Sequence, residues 1–168
     1  RMLRGMRFAT KLGFTIAPAT LAPIRDMAHL IENVPASRLF DEMLKMLTCG
    51  HALDCLRRLR AEGLHKGLLP LLDVVLEQPG GERFVKLALE RTDVRVRSGK
   101  SVSPSFLFAA LLWQQVNHRW QQYRADGELP MPALGMAVDS VLDDQTEKLA
   151  IQRRFSSDMR EIWFMQPR

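Results

Sequence analysis

Residues 1–14 read RMLRGMRFATKLGF, and this stretch is the sharpest local feature of the chain. Its apolar and basic residues recur at helical spacing, and no proline interrupts them. Gly13 can adopt the left-handed conformation that ends a helix, with Phe14 folding back onto the last turn. The stretch therefore predicts an amphipathic helix over residues 1–12.

The composition extends this prediction to the whole chain of 168 residues. It contains 25 Leu, 15 Ala and 9 Met, against only 10 Val, 5 Ile and 6 Thr. Unbranched side chains lose little rotamer freedom in a helix, whereas β-branched ones lose more. Apolar residues make up 46% of the chain, which excludes wholesale disorder. We predict an all-α fold.

Punctuation by Gly and Pro divides the chain into nine candidate helical segments, which we expect to form an irregular bundle of about seven to eight helices. Ser37 is the expected cap of the third helical segment, and Pro23 should bend the second one. Polar breaks are expected at 78–81, 98–104 and 126–132. The helical segments are predicted at 1–12, 18–32, 37–49, 52–62, 68–76, 82–96, 104–124 and 133–149, with a last one from 152 onwards.

Charge and cysteine content set broad limits on function. The 24 Lys and Arg exceed the 19 Asp and Glu by five, which permits an anionic partner without demanding one. No run of eighteen apolar residues is present, so we expect no membrane span. The two cysteines, Cys49 and Cys55, form no paired CxxC set and fit a reducing cytosol, so we expect a cytoplasmic protein.

Catalytic and metal-binding motifs are absent from the sequence. The four histidines are scattered, and there is no HExxH, GxSxG or Walker loop. Asp143 and Asp144 are adjacent, so on a helix they point about 100° apart and make a poor metal clamp. The same objection applies to Asp41 and Glu42. We predict no catalytic residue and no metal site within this chain.

A basic stripe runs along the first predicted helix. Arg1, Arg4, Arg7 and Lys11 recur at spacings of three, three and four, and no acid lies among the first eleven residues. One interpretation is a solvated face, or arginines paired with acids elsewhere in the fold. The other is a row of guanidinium groups that grips phosphates or a nucleotide base.

Two further basic clusters could follow a phosphate backbone, although an ordinary solvated surface remains the alternative for each. The first comprises Arg57, Arg58 and Arg60. The second comprises Arg91, Arg95, Arg97 and Lys100.

An aromatic stripe lies on the long predicted helix, where Phe106, Trp113 and Trp120 repeat every seven residues. The spacing favours core packing, with a stacking platform for RNA bases as the alternative.

The sequence RMLRGMRFATKLGF resembles the motif R-x-x-R-x-x-R-F-x-x-x-L-G-F of class II template-independent nucleotidyltransferases. These are the bacterial poly(A) polymerases and CCA-adding enzymes. SRLFDEMLKML at 37–47 is similar to the next motif of that family, with Arg38 and Glu42 four residues apart. VSPSFLFAALLW at 102–113 resembles the bacterial poly(A) polymerases in particular. The match covers most of the chain.

The resemblance implies roles for individual residues. Arg1 would hydrogen-bond the base of the incoming nucleotide, with Arg4 beside it in a nucleotide-binding role. Arg7, Arg38 and Glu42 would brace the first helix, and Glu42 should lie within salt-bridge reach of Arg4 or Arg7. The resemblance also implies that residues 1–64 form a neck-like region with these motifs. Residues 65–168 would form a helical body that binds RNA.

The implied activity is that of a polynucleotide adenylyltransferase, which adds AMP from ATP to RNA 3′ ends. Mg²⁺ and ATP would be used by the whole enzyme, through a catalytic head that we expect to be missing here. This chain alone should then be inactive. Two alternatives stay open: a CCA-adding enzyme that acts on tRNA, and a non-enzymatic helical interaction module.

Overall fold

The computed structural model describes residues 1–64, 81–149 and 151–166, and within these ranges every regular element is helical. The predicted all-α fold is therefore confirmed. In the described part of the chain, a 3₁₀ helix at Ala28–Asn33 accompanies eight α-helices. They are α1 Met2–Leu12, α2 Pro18–Asp26, α3 Ala36–Leu47, α4 Ala52–Ala61, α5 Gly81–Arg97, α6 Pro104–Ala125, α7 Pro130–Leu149 and α8 Arg153–Phe164.

The end of α1 forms as predicted. Gly13 has φ 69° and ψ 23°, and the amide of Phe14 donates back to the carbonyl of Ala9 at 2.8 Å. This is the pattern of a left-handed helix terminus. It turns the chain sharply, so that α1 can pack against both α3 and α4.

The predicted helix at 18–32 is wrong, because the chain forms α2 and the 3₁₀ helix instead. Pro23 lies inside α2, and no side chain of α2 is buried. Leu21 and Ile24 pack against the core only with partly buried side chains, so tertiary packing contributes little to hold a longer helix together. The 3₁₀ helix that follows places Ile31 in the core at 3% exposure.

The predicted boundaries of the third helix are also wrong. Pro35, with φ −51° and ψ 133°, occupies the cap position of α3, and no side chain caps the helix. The carbonyl of Pro35 accepts from the amides of Arg38 and Leu39, so the helix begins at Ala36 and Ser37 lies inside it. The helix ends at Leu47, before the expected Cys49.

Two other predictions fall near the gap in the described residues. The helix expected at 68–76 lies outside them, as do the first three residues of the loop expected at 78–81. Gly81, which we assigned to that loop, is the first residue of α5.

The linker expected at 126–132 is shorter, because α7 begins at Pro130, where a proline suits the first turn of a helix.

The core centres on α6, which packs against α5, α7 and α8. Phe40 of α3, Phe108 of α6 and Phe155 of α8 meet there, with ring centroids 5.4–6.5 Å apart. Trp163 is 1% exposed and donates its indole N–H to the carbonyl of Ala109 at 3.0 Å. The described helices of both halves of the chain thus share one core.

The aromatic stripe of α6 is only partly a core stripe. Trp113 and Trp120 are half-buried and pack against the core, as expected. Phe106 is 63% exposed, so the prediction of core packing is wrong at this position. Phe106 is the third residue of α6, and the next two residues, Leu107 and Phe108, are the ones buried in the core at this end of the helix.

The loop between α3 and α4 approaches α5 closely at Gly50. This residue has φ 84°, and a Cβ atom there would lie 3.3 Å from Cγ1 of Val96 and 3.3 Å from Cγ of Arg97. The guanidinium of Arg97 donates to the carbonyl of Gly50 at 2.5 Å. Position 50 therefore requires glycine both for its backbone conformation and for space.

None of the described helices is long and apolar enough to cross a membrane.

Candidate nucleic-acid interface

An open groove of about 500 Å³ lies between α1 and α3, and we call it the Arg1 groove. It brings together four of the five residues that the sequence analysis assigned to nucleotide binding and bracing. The charged side chains that line the groove are of both signs, and the cations outnumber the acids. The lining residues are Arg1, Met2, Leu3, Arg4, Ile31, Val34, Arg38, Leu39, Asp41, Glu42 and Lys45.

Glu42 is the centre of the charge network in this groove. Its Oε1 lies 3.2 Å from Nη2 of Arg4 and 3.4 Å from Nζ of Lys45. Its Oε2 lies 3.9 Å from Nη2 of Arg7, whose side chain is only 13% exposed. The predicted contact between Glu42 and the first helix is present, and Lys45 joins it although the sequence analysis did not include that residue.

These contacts determine the protonation of Glu42. Burial by itself would raise its pKa, but the hydrogen bonds and charges of Arg4 and Lys45 outweigh burial and hold the pKa below its ordinary value. The carboxylate is therefore ionised at neutral pH and fixes Arg4 at the wall of the groove. Arg1 and Arg38 line the same groove and are exposed.

The cluster at 57–60 divides between two faces of α4. Arg58 donates to the carbonyl of Phe14 at 3.4 Å and lies 3.5 Å from the hydroxyl of Thr10, so it holds the end of α1. Arg57 and Arg60 are exposed on the other side, where Arg57 pairs with Asp54 at 3.2 Å. Both line a small groove with Lys86 of α5, a cation that the sequence analysis missed.

The cluster at 91–100 divides in a similar way. Arg91 and Arg95 line a groove beside α6, and Nε of Arg95 donates to the carbonyl of Ser101 at 2.6 Å. The guanidinium of Arg97 instead reaches the carbonyl of Gly50. Lys100 is exposed in the following loop. All four cations are exposed, and Arg95 uses only its Nε in the bond to Ser101 whereas Arg97 uses a terminal nitrogen in the bond to Gly50.

Asp93 has a structural role that sequence reasoning did not find. It is 5% exposed, and its carboxylate accepts from the amides of Ala52 at 2.7 Å and Leu53 at 3.2 Å. These amides belong to the first turn of α4, which has no capping side chain of its own. An acid from α5 thus satisfies the start of α4, 41 residues away along the chain. An acid within a basic cluster was the only signal in the sequence.

The two cysteines lie side by side, with their Sγ atoms 3.9 Å apart. The hydrogen bond from the thiol of Cys55, together with the backbone amide of His51, lowers the pKa of half-buried Cys49 to about 6. The neighbouring thiolate and burial raise the pKa of Cys55. Because Cys49 is also the less buried of the two, we expect it to be the more reactive thiol.

The described residues do not fit a Mg²⁺ site. Nowhere in 1–64, 81–149 and 151–166 is a group of three or more His, Cys, Asp or Glu placed to hold a metal ion. Asp144 is paired with Arg119 at 2.5 Å, and Glu42 is already shared among three cations. We therefore assign no step of a reaction to a metal held by these residues.

Two family models match the chain. One is described as "Probable RNA and SrmB- binding site of polymerase A" and matches residues 13–76. The other is described as "Polymerase A arginine-rich C-terminus" and matches residues 126–168. Both matches are therefore to helical regions of one class of protein, polymerase A.

Comparison with whole proteins gives the same answer. Poly(A) polymerase I of Salmonella typhi is 36% identical over 172 residues, which include all of this chain. Poly(A) polymerase I of Haemophilus influenzae is 38% identical over 170 residues and 99% of the chain. The chain belongs to the bacterial poly(A) polymerase family. It spans 37% and 38% of the length of these two relatives.

The CCA-adding branch matches less of the chain. A CC-adding tRNA nucleotidyltransferase of Geobacter sulfurreducens is 31% identical over 120 residues, which cover 66% of the chain.

Proposed function

We propose that this chain selects the nucleotide and holds the RNA in a polynucleotide adenylyltransferase that adds AMP from ATP to RNA 3′ ends. The observation that carries the proposal is the alignment of the whole chain with Poly(A) polymerase I from two bacteria. The partners are then ATP and the RNA 3′ end. We place the enzyme in the cytoplasm, where the free thiols of Cys49 and Cys55 stay reduced.

The nucleotide base would be read in the Arg1 groove. A guanidinium group carries several N–H donors in a fixed plane, which suits the acceptor atoms at the edge of a base. Arg1 and Arg4 would supply these donors. Glu42 supports this role because it contacts Arg4 and Arg7 of the first helix. Arg7 and Arg38 would brace that helix, and Arg38 lies at the groove itself.

The RNA would be held mainly through its phosphates. In the two basic clusters, we assign this role to the exposed cations Arg57, Arg60, Arg91, Arg95 and Lys100. Arg58 and the exposed Arg97 donate terminal N–H groups to backbone carbonyls, whereas Arg95 does so only through Nε. We therefore assign Arg58 and Arg97 the task of positioning α1 and the α3–α4 loop beside the clusters. Each phosphate neutralised by a cation releases a counterion, which makes the binding dependent on salt.

ATP and Mg²⁺ belong to the proposed activity of the whole enzyme. Mg²⁺ would stabilise charge on the transferring phosphoryl group when bound. The carboxylates of the described residues are not arranged to hold it, so the 168-residue chain by itself should not extend an RNA primer.

The RNA role is tested by titrating labelled oligo(A) with the chain at several salt concentrations. With five cations engaged, log K should fall against log salt with a slope of about −3 to −4 for a single strand. Arg60→Gln and Lys100→Gln should each reduce the magnitude of that slope by about 0.7. A chain that does not bind oligo(A) at low salt would leave only a helical interaction module.

The nucleotide role is tested in a chimera in which the chain replaces the matching region of Poly(A) polymerase I from Haemophilus influenzae. The chimera should add long runs of adenylate with ATP alone, and Arg1→Gln should weaken discrimination between ATP and CTP more than it weakens RNA binding. Addition of a short cytidylate tract followed by one adenylate would favour the CCA-adding alternative.

A further inference from the structure

A second, larger groove of about 770 Å³ lies between one face of α5 and the start of α6, and we call it the Phe84 groove. Its α5 wall follows a helical stripe at positions 84, 87, 88, 91, 92 and 95. The opposite wall consists of residues 101–103 and the first turns of α6, including Phe106. A groove of this volume is in the range of ligand sites in proteins.

Large apolar side chains in this groove are exposed to solvent. Phe106 is 63% exposed, Leu87 is 50% exposed and Phe84 is 40% exposed. The two phenyl rings stand on opposite walls, one on α5 and the other on α6. Neither ring is required by the shared core, which is formed by other aromatic residues. Exposed aromatic groups that line one groove indicate a binding surface.

The walls of the groove are held by hydrogen bonds. The amide of Phe106 donates to the side-chain oxygen of Ser103 at 3.3 Å, which caps α6 and fixes the backbone of its first turn. Nε of Arg95 donates to the carbonyl of Ser101, which ties the loop to α5. The aromatic groups therefore stand on a preformed site rather than on a free loop.

The charge of the groove selects its occupant. Arg91 and Arg95 are both exposed at its walls, and the lining residues within the described ranges include no Asp or Glu. An acid-free apolar floor with two guanidinium groups complements a ligand that carries flat apolar faces joined by negative charges. Unpaired nucleic acid has this chemistry, because every base has a π-face and every linkage has a phosphate.

We propose that the Phe84 groove binds single-stranded RNA by stacking unpaired bases on Phe84 and Phe106, while Arg91 and Arg95 contact the adjacent phosphates. The inference rests on the proposed RNA-binding function and adds a base-stacking site to it. Stacking tolerates any base, so this site would hold the strand without reading its sequence. A base-paired end, whose bases are already stacked, would bind more weakly.

The test separates base contacts from phosphate contacts in the 168-residue chain. Kd is measured by fluorescence anisotropy for oligo(A) and for an abasic oligomer with the same number of phosphates, each over a range of salt. The variants are Phe106→Ala, Phe84→Ala and Arg91→Gln. Leu129→Ala, at a residue that is 71% exposed outside the groove, is the matched apolar control. Arg124→Gln, at an exposed residue of α6 outside the groove, is the matched cationic control.

Phe106→Ala should raise the Kd for oligo(A) about 5-fold or more without changing the salt slope, and it should leave the abasic oligomer unaffected. Phe84→Ala should behave in the same way. Arg91→Gln should weaken both ligands and reduce the slope by about 0.7. Because both rings are exposed, the variants should retain the thermal stability of the parent chain, which circular dichroism checks.

Two results would overturn the proposal while leaving RNA binding intact. The first is an oligo(A) affinity that neither phenylalanine variant changes. The second is an equal loss for oligo(A) and for the abasic oligomer, which would show that the rings act on the fold and not on bases. Failure of the parent chain to bind either oligomer would instead contradict the proposed function itself.

Discussion

Glu42 is the residue where the charges of α1 and α3 meet, and its contacts carry a prediction about stability. Glu42→Gln removes the charge that pairs with Arg4, Arg7 and Lys45 while keeping the shape of the side chain. Because Arg4 is 62% exposed and water screens that pair, we expect a loss of about 1 kcal/mol in the free energy of unfolding near pH 7. Urea denaturation measures the loss.

The effect of Glu42→Gln on the free energy of unfolding should depend on pH. The pKa of Glu42 is lower in the folded chain than its ordinary value of 4.5, so its contribution to stability is fully present above about pH 4.5 and disappears as the pH falls through the folded pKa. The difference between the parent chain and Glu42→Gln should shrink over that range. Asp41→Asn, at the exposed neighbouring residue, is the control and should change stability little. A constant difference down to low pH would contradict this assignment.

The reactivity of Cys49 is a second residue-scale prediction. Cys55→Ala removes the thiol that donates to Cys49, so the pKa of Cys49 should rise from about 6 towards the ordinary thiol value. The rate of iodoacetamide labelling, followed against pH, reports this shift. Cys49→Ala should abolish labelling of the folded chain, because Cys55 is 0% exposed. An unchanged labelling profile in Cys55→Ala would assign the low pKa to the backbone instead.

At the scale of elements, the capping of α4 by Asp93 gives the clearest prediction. Asp93→Asn removes one acceptor oxygen and the charge from a buried site that serves two amides. We expect a loss of about 2 kcal/mol in the free energy of unfolding. Hydrogen exchange at the amides of Ala52 and Leu53 should accelerate more than exchange elsewhere in the core.

Asp54→Asn is the matched control for this variant, because Asp54 lies in the first turn of the same helix but is exposed. Its effect should stay within about 0.5 kcal/mol. Equal losses in the two variants would mean that the general charge of the helix start, and not the buried cap, stabilises α4.

The elements also show which parts of the fold are readable from sequence. Gly13 and Pro104 mark helix boundaries through their own backbone preferences, so both positions were predicted. The end of the second predicted helix was not correctly placed. Residues 18–32 contain no local signal that the side chains of α2 stay outside the buried core. Asp93 caps a helix that begins 41 residues earlier, and only the tertiary fold brings the two together.

In the candidate site, too, some contacts could be predicted from sequence motifs, whereas contacts that depend on the tertiary fold could not. The contact between Glu42 and Arg4 was predicted because two motifs, read through their resemblance to a family, were expected to face each other. Arg58 and Arg97 were assigned to RNA, but their acceptors are backbone carbonyls 44 and 47 residues away. Every residue has such a carbonyl, so the sequence contains no mark for these partners. The binding and bracing roles of all these site residues stay predictions.

At the scale of the whole molecule, the division into residues 1–64 and 65–168 stays a prediction that unfolding can test. Phe40 contacts Phe108 and Phe155 across that boundary, so we expect both parts to unfold together. All three tryptophans lie beyond residue 64 and report on the second part. The buried thiol of Cys55 reports on the first.

Urea midpoints from tryptophan fluorescence and from the reactivity of Cys55 in a Cys49→Ala background should therefore coincide. Phe40→Ala should lower the free energy of unfolding by about 3–5 kcal/mol, because it opens a cavity where three helices meet. Leu12→Ala, at a residue that is 54% exposed, is the control. Two separated midpoints would show that the parts are independent folding units.

Gly13 and Gly50 both have a positive φ, but substitutions at the two positions should differ strongly in their effect on folding. Nothing lies within 4 Å of a Cβ atom at Gly13, so asparagine, which accepts the left-handed conformation, fits there. At Gly50 the same atom would press on Val96 and Arg97. In a saturation library screened for folded protein, position 13 should therefore tolerate a few residue types, with glycine and asparagine among them. Position 50 should accept fewer residues than position 13, and a second change in α5 that shortens Val96 or Arg97 should relieve the crowding but not the strain of the positive φ.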